Sequence, residues 1–373
     1  MSLPALPDKA AIRAEAARLQ ALLGAGGAHG VEADILLPAE TLLDLYGEDI
    51  RARAYLTADP VLGERVLRPD FTVPVVQMHM DGGAEPARYT YAGEVFRRQE
   101  VPEPGRPAEF IQVGLEVFDR DDPAERDAEV FATIAGALAR LRLRAAMGDI
   151  GLLTAAVAGL TLSPPRRAAL MRHLWRPHRF RALLERFAGR RPPGPGRAAL
   201  LKRLETETPD ALIAEAGPLF GQRSAAEIAA RLRALRADAE EPPLPERELA
   251  LVDDLLAVRA APRDALARMR DIAVDLPALD PALDRLEARL DALAGHGVEL
   301  SEVAFEASFG RTTLEYYDGF VFGFIAEGHP ELPPVASGGR YDALTRQLGR
   351  GREIPAVGGV IRPGLVLALG GAA

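Results

Sequence analysis

The strand-patterned stretches of this chain fall into two sets, separated by a block of Ala, Leu and Arg that runs from Ser163 to about Gly295. Inside the block, Ser163-Pro164-Pro165 and Asp280-Pro281 are helix starts, and RRPPGPGR at 190–197 is a breaker, so the block reads as helical. Neither flanking set holds enough strands to close a core by itself, and the two are expected to share one sheet. The expected architecture is α+β: a sheet flanked by helices, built from residues 1–162 and 297–373, with 163–296 as a helical insertion.

Composition narrows the function classes. With 48% hydrophobic and 27% charged residues, the chain has the material for a large core. A net charge of -9 argues against a general nucleic-acid scaffold. The absence of cysteine excludes disulfides, thiolate zinc sites and a cysteine nucleophile, and the six histidines are scattered, so neither a metal nor a cofactor is expected. No apolar run approaches the ~20 residues that span a bilayer, and MSLPALPDKAAIRAEAARL lacks an apolar signal core, so the expected location is the cytoplasm.

Local patterning predicts a helix from Asp8 to Leu23 and an extended segment passing through Pro38 into a short helix over 31–47. It predicts strand, turn and helix over 65–80, a helix over 127–147, and a strand entering another helix over 149–160. Strand patterning resumes at VELSEVAFEASF and runs through LEYYDGFVFGF, and the last element is the apolar helix in IRPGLVLALGG.

The most informative segment is FRRQEVPEPGRPAEFIQVGLEVF, 96–118. Alternation from Glu109 puts Ile111, Val113, Leu115 and Val117 on one face of a strand, and Phe110, Gln112, Gly114, Glu116 and Phe118 on the other. The first face is apolar. On the second, an unpaired buried amide or carboxylate costs roughly 1–3 kcal/mol, so Gln112 and Glu116 need partners, and a ligand could supply them. Arg97 and Arg106 flank the turn and could hold a phosphate or carboxylate, or pair with Glu100, Glu103 and Glu109. In RPDFT, Asp70 and Thr72 could hold an ammonium group or cap the next helix. In LEYYDGF, alternation separates Tyr316 from Tyr317, which could face a ligand or pack in the core. Ser337-Gly338-Gly339-Arg340 reads as a loop in which paired glycines let backbone approach a ligand, with Arg340 as a further anion contact.

In this order, RPDFT, FRRQ with GRPAEFIQVGLEVF, LEYYDG and SGGRYDALTRQLG resemble the signature of the histidyl-tRNA synthetase catalytic domain, a class II synthetase fold, which implies an antiparallel sheet flanked by helices. The similarity spans nearly all of residues 5–370 apart from the helical middle. VEADILLPAETLL resembles motif 1, which implies a homodimer through the Pro38 region. The resemblance implies that Asp70, Thr72 and Glu116 recognise the amino group or ring of histidine, Gln112 its carboxylate, and Tyr317, beside Tyr316, its imidazole. It implies a phosphate contact for Arg97.

Three departures bear on activity. Thr312 stands where the family's RGLDYY arginine is expected, and Leu365 where the motif 3 arginine is expected, with Arg362 one helical turn early. The chain also ends at 373, without room for an anticodon-binding domain. One preorganised donor to developing charge is worth roughly 3 kcal/mol, so the expectation is a retained histidine pocket without adenylation. That combination is similar to the regulatory subunits of ATP phosphoribosyltransferase, which implies a short-form catalytic subunit as partner, histidine as ligand and no catalysis by this chain. The alternatives are a truncated synthetase-like enzyme that adenylates histidine or a related amine, and a tRNA-binding module using the Arg-rich helices at 166–203.

Overall fold

The computed structural model describes residues 7–46, 53–99, 106–218, 221, 223–311 and 316–370. The chain opens with helix α1, Lys9–Gly24, whose start is fixed by Asp8 accepting from the backbone N–H groups of Ala10 (2.8 Å) and Ala11 (2.9 Å). Then follow β1 (His29–Gly30), β2 (Leu36–Pro38), α2 (Ala39–Tyr46), β3 (Leu56–Asp59), β4 (Gly63–Leu67) and α3 (Thr72–Gly82). The long hairpin β5 (Ala87–Phe96) and β6 (Glu109–Phe118) leads to α4 (Pro123–Leu138), β7 (Leu143–Asp149) and α5 (Ile150–Gly159).

A helical run comprises α6 (Pro164–Met171), α7 (Pro177–Phe187), α8 (Pro195–Leu204), α9 (Pro209–Glu215), α10 (Ala225–Glu240) and α11 (Glu246–Ala257). After it come β8 (Arg259–Ala260), α12 (Pro262–Asp275), α13 (Asp280–Gly295), β9 (Val303–Glu306) and β10 (Phe320–Ala326). The last elements are β11 (Ala336–Arg340), α14 (Asp342–Leu348), β12 (Ala356–Ile361) and α15 (Pro363–Gly370).

Strands from both ends of the sequence do share one sheet, in the order β1-β5-β6-β12-β11-β10-β7-β9-β8. The sheet is mixed where an antiparallel one is expected: β1 with β5 and β7 with β9 are parallel, and the remaining pairings are antiparallel. A separate small sheet has the order β2-β4-β3. Val113, Leu115 and Val117 of β6 point toward α1 and α4 and are at most 3% exposed. The opposite face, with Gln112 and Glu116, is buried as well, so β6 is a central strand covered on both sides.

The chain divides into two compact units, Met1–Ala156 with Asp254–Ala373, and Val157–Asp253. This division differs from the 163–296 insertion expected above. The reason is a set of buried charges that ties α13 to the sheet unit. Arg289 donates from Nε to Asp127 (2.7 Å) and from Nη1 to Asp149 (2.7 Å), while Arg340 donates from Nε and Nη2 to the other oxygen of Asp127 (3.0 and 2.8 Å). Removing one partner from such a cluster leaves an uncompensated charge. In the smaller unit, buried Arg166 plays a comparable part, donating to Asp238 and to the carbonyl of Pro242, each at 2.8 Å.

The helix expected over 127–147 stops at Leu138, and 143–149 is strand β7. Leu, Ala and Arg favour helix locally, but β7 gains pairing on both edges, with β10 and β9, and tertiary pairing overrides a preference of a few tenths of a kcal/mol per residue. The expected loop at Ser337-Gly338-Gly339 is strand β11, paired on both sides. Its glycines do admit close neighbours, but the neighbours belong to the protein: a Cβ on Gly339 would lie 2.8 Å from the Tyr317 ring.

Candidate functional site: a carboxylate held by three hydroxyls

Glu116 projects from the middle of β6 over Gly358 of β12, which stands directly across the ladder. A Cβ at position 358 would meet the Glu116 carboxylate at 1.6 Å, so only glycine leaves room for that side chain to lie on the sheet. Three hydroxyls from three elements converge on the carboxylate. Thr72 of α3 and Tyr91 of β5 each donate to Oε1 at 2.8 Å, and Tyr341, just after β11, donates to Oε2 at 2.5 Å. Tyr91 is held in turn by stacking on Phe71 at 4.3 Å, and Phe71 lies under the guanidinium of Arg68 at 4.0 Å.

Burial pushes Glu116 up to about 7; the hydroxyls oppose that rise, and neighbouring Asp70 adds to it. Asp70 is likewise raised by burial, moderated by the charge of Arg97. The Asp70 carboxylate accepts from the Val73 N–H at 3.3 Å, in the first turn of α3, and Thr72 spends its hydroxyl on Glu116.

Gln112 is 0% exposed, and neither Oε1 nor Nε2 has a hydrogen-bond partner among the described residues. A buried amide with both ends unsatisfied is costly, and it marks the point where an external group would be gained. Tyr316 and Tyr317 are both buried, with ring centroids 4.8 Å apart, and Tyr316 approaches Tyr341 at 6.1 Å. The alternation expected to separate them does not operate, because β10 begins only at Phe320. Thr312 lies outside the described residues.

Arg340 is not brought to this site. Ser337 and Gly339 share a face of β11, and the period of two turns Arg340 to the other side, where Asp127, Asp342 and the carbonyl of Pro123 take its donors. Arg97 and Arg106 line a neighbouring cavity of about 700 Å³, which Leu365 and Arg362 also line. The register pairing Val113 with Ile361 brings Arg362 level with Gln112, so its distance from the expected motif position does not remove it from the cleft.

Tyr91 and Tyr341 were missed from sequence. Their signals were present: Tyr341 lies two residues beyond Gly339, on the site face, and Tyr91 is paired across the hairpin with Gly114. Among the described residues, no group of three His, Cys, Asp or Glu is placed to hold a metal, and no helix is long and apolar enough to cross a membrane.

The histidyl-tRNA synthetase family model matches residues 4–261 and 235–363. A protein named ATP phosphoribosyltransferase regulatory subunit from Brucella anthropi is 34% identical over 359 residues, covering 91% of this chain and 93% of that protein. One of the same name from Brucella suis gives the same identity and the same share of this chain. The chain belongs to the family of ATP phosphoribosyltransferase regulatory subunits. Solved structures agree on the fold of this family member. A regulatory subunit/histidyl-tRNA synthetase from Bacillus halodurans superimposes with a TM-score of 0.67 at 21% identity, covering 97% of this chain and 80% of that one. A histidine–tRNA ligase subunit from Alicyclobacillus acidocaldarius does so at 0.60 and 24%, covering 99% and 95%. Within this regulatory-subunit family member, Glu116, Thr72, Tyr91 and Tyr341 form one polar cluster, and Gln112 stands four residues back on the same face of β6.

Proposed function

We propose that the chain is the non-catalytic regulatory subunit of a two-part ATP phosphoribosyltransferase in the cytoplasm, required for the first step of histidine biosynthesis and for its feedback control. In this reading, phosphoribosyl transfer resides in a short-form catalytic partner, and this chain supplies histidine sensitivity. The single observation that carries the histidine part is Gln112: a fully buried amide, with both ends unsatisfied among the described residues, on the same strand face as a carboxylate fixed by three hydroxyls. An amino acid offers what this arrangement lacks, a carboxylate for the amide N–H and an ammonium or imidazolium for Glu116. Asp70, Thr72, Tyr316 and Tyr317 complete the pocket.

A regulator must bind its effector more tightly in one state of the complex than in another, and a coupling of ~1–3 kcal/mol suffices. Homodimerisation through the motif 1 region is part of the proposal. It is supported by the exposed apolar side chains Ile35 (45%) and Leu36 (44%) on that segment, and by Val61 (88%) and Leu62 (63%) at the turn between β3 and β4.

Co-expression with the short catalytic subunit tests the reading. Phosphoribosyl transfer to ATP is expected only in the mixture, with inhibition by histidine that Glu116→Ala or Gln112→Met relieves. Activity of the catalytic subunit alone at the level of the mixture would overturn it. Histidine-dependent exchange of pyrophosphate into ATP by this chain alone is expected to stay at background, and a clear signal would restore the synthetase-like alternative.

A further inference from the structure

Tyr316 and Tyr317 complete the proposed histidine pocket, yet they precede β10, so the sheet ladder does not position them. The next residue does. Asp318 accepts from the backbone N–H of Asp342 on Oδ1 at 3.1 Å and from that of Ala343 on Oδ2 at 2.6 Å. Its own N–H donates to the carbonyl of Arg340 at 3.1 Å, and the carbonyl of Gly319 accepts from Ile150 at 2.9 Å. Asp318 is thus tied to the chain on both sides of Tyr341, whose hydroxyl donates to Glu116. Tyr316 meets the Tyr341 ring edge-on, with centroids 6.1 Å apart, and Tyr317 packs over Gly339. A shift of 316–318 would move both tyrosines against the Glu116 carboxylate.

A carboxylate is a costly choice for this tie. Asp342 already provides one, which accepts from the Ala356 N–H at 2.8 Å and from Nη1 of Arg340 at 3.1 Å. Arg340 also serves Asp127 and the carbonyl of Pro123. Asp149, paired across the ladder with Phe320, is taken by Arg289 at 2.7 Å. Asp318 is therefore a second carboxylate beside Asp342, and among the described residues the cation facing both is Arg340. Burial and the charge of Asp342 push Asp318 up to about 7, against the pull of the two N–H groups and Arg340. An amide oxygen could accept a backbone N–H here without that repulsion, so the charge itself has a use.

We propose that Asp318 is a positioning residue for the histidine pocket: its carboxylate, bridging the N–H groups of Asp342 and Ala343, holds Tyr316 and Tyr317 in place beside Tyr341 and Glu116. The proposal rests on the histidine reading and adds a regulation by pH to it. Ionised, Asp318 offers both oxygens to the two N–H groups. Protonated, it carries hydrogen on one oxygen, accepts more weakly and slackens the tie. Histidine affinity therefore gains a dependence on pH through a group other than Glu116.

Histidine titrated calorimetrically into the full chain at pH 6 and pH 8 tests this, with Asp318→Asn and Asp318→Ser as two variants that do not titrate at that position. The readout is the ratio of wild-type to variant affinity, in which the ionisations of Glu116 and of histidine itself cancel. At pH 8 the wild type is expected to bind about tenfold more tightly than either variant, the worth of a hydrogen bond to a charged acceptor. At pH 6, where a group at about 7 is roughly nine-tenths protonated, the ratio should fall to about twofold. A purely structural role would lower affinity by the same factor at both pH values. Because Asp318→Asn loses the repulsion from Asp342, it is expected to be at least as stable as wild type at pH 8 without histidine, so lost affinity is not lost folding. A ratio that does not change with pH, or full affinity of both variants at pH 8, overturns the proposal and leaves the histidine reading standing. A wild type that binds no histidine at either pH overturns both.

Discussion

Gln112→Met makes the sharpest demand on the site as described. Gln112 is fully buried, and both polar atoms of its amide lack partners among the described residues. An unsatisfied buried polar group costs about 1–3 kcal/mol, while methionine has a similar length and no such group. In the absence of ligand the variant is therefore expected to be more stable than the parent by about 1–3 kcal/mol, a gain worth about 1–1.5 °C in unfolding temperature per kcal/mol for a protein of this size. Histidine at 100 times its dissociation constant stabilises the parent by about 2.7 kcal/mol, and the variant should gain almost none of that. The order of stabilities then approaches reversal between histidine-free and histidine-saturated buffer. Thermal unfolding at several histidine concentrations reads both effects in one experiment. A variant that is less stable without histidine, or that keeps the full ligand-induced shift, refutes the argument that this amide is reserved for a ligand.

The buried charges and the tight glycine give further expectations. Asp127→Asn removes the carboxylate shared by Arg289 and Arg340 and should cost about 3–5 kcal/mol in urea unfolding, whereas Glu246→Gln, at the exposed pair with Arg190, should leave the midpoint in place. Gly358→Ala puts a methyl group where the Glu116 carboxylate lies, so calorimetry should find histidine binding weakened at least tenfold in a protein that still folds. Glu116 sits at about 7 instead of the ordinary 4.5, so the folded state favours its protonated form. The stability this contributes is complete below about 4.5 and is lost as pH rises through about 7. Urea midpoints between pH 5 and 8 should show wild type losing up to about 3 kcal/mol relative to Glu116→Gln across that window, and a constant difference would refute the assignment.

Much of this molecule was legible in the chain itself. Alternation is a local property: it placed Val113, Leu115 and Val117 opposite Gln112 and Glu116 before any fold was known, and the helical spacing after Asp8 and the Pro38 break are equally local. The grouping of strand-patterned segments from both ends into one sheet followed from counting strands. What sequence could not supply is the partner each group meets. Leu143–Asp149 became a strand because two other strands were waiting beside it, against its own helical leaning. Arg340 and Arg362 look alike as exposed-type cations in a sequence. Strand register sends one into a buried cluster with Asp127 and brings the other to the wall of a cavity with Arg97 and Arg106. The same holds for Glu116, whose three hydroxyl donors lie 44, 25 and 225 residues away along the chain. Periodicity fixes the side of an element on which a residue stands, and only the packing of distant elements fixes which atoms stand opposite it. The chemistry of this site depends on those atoms.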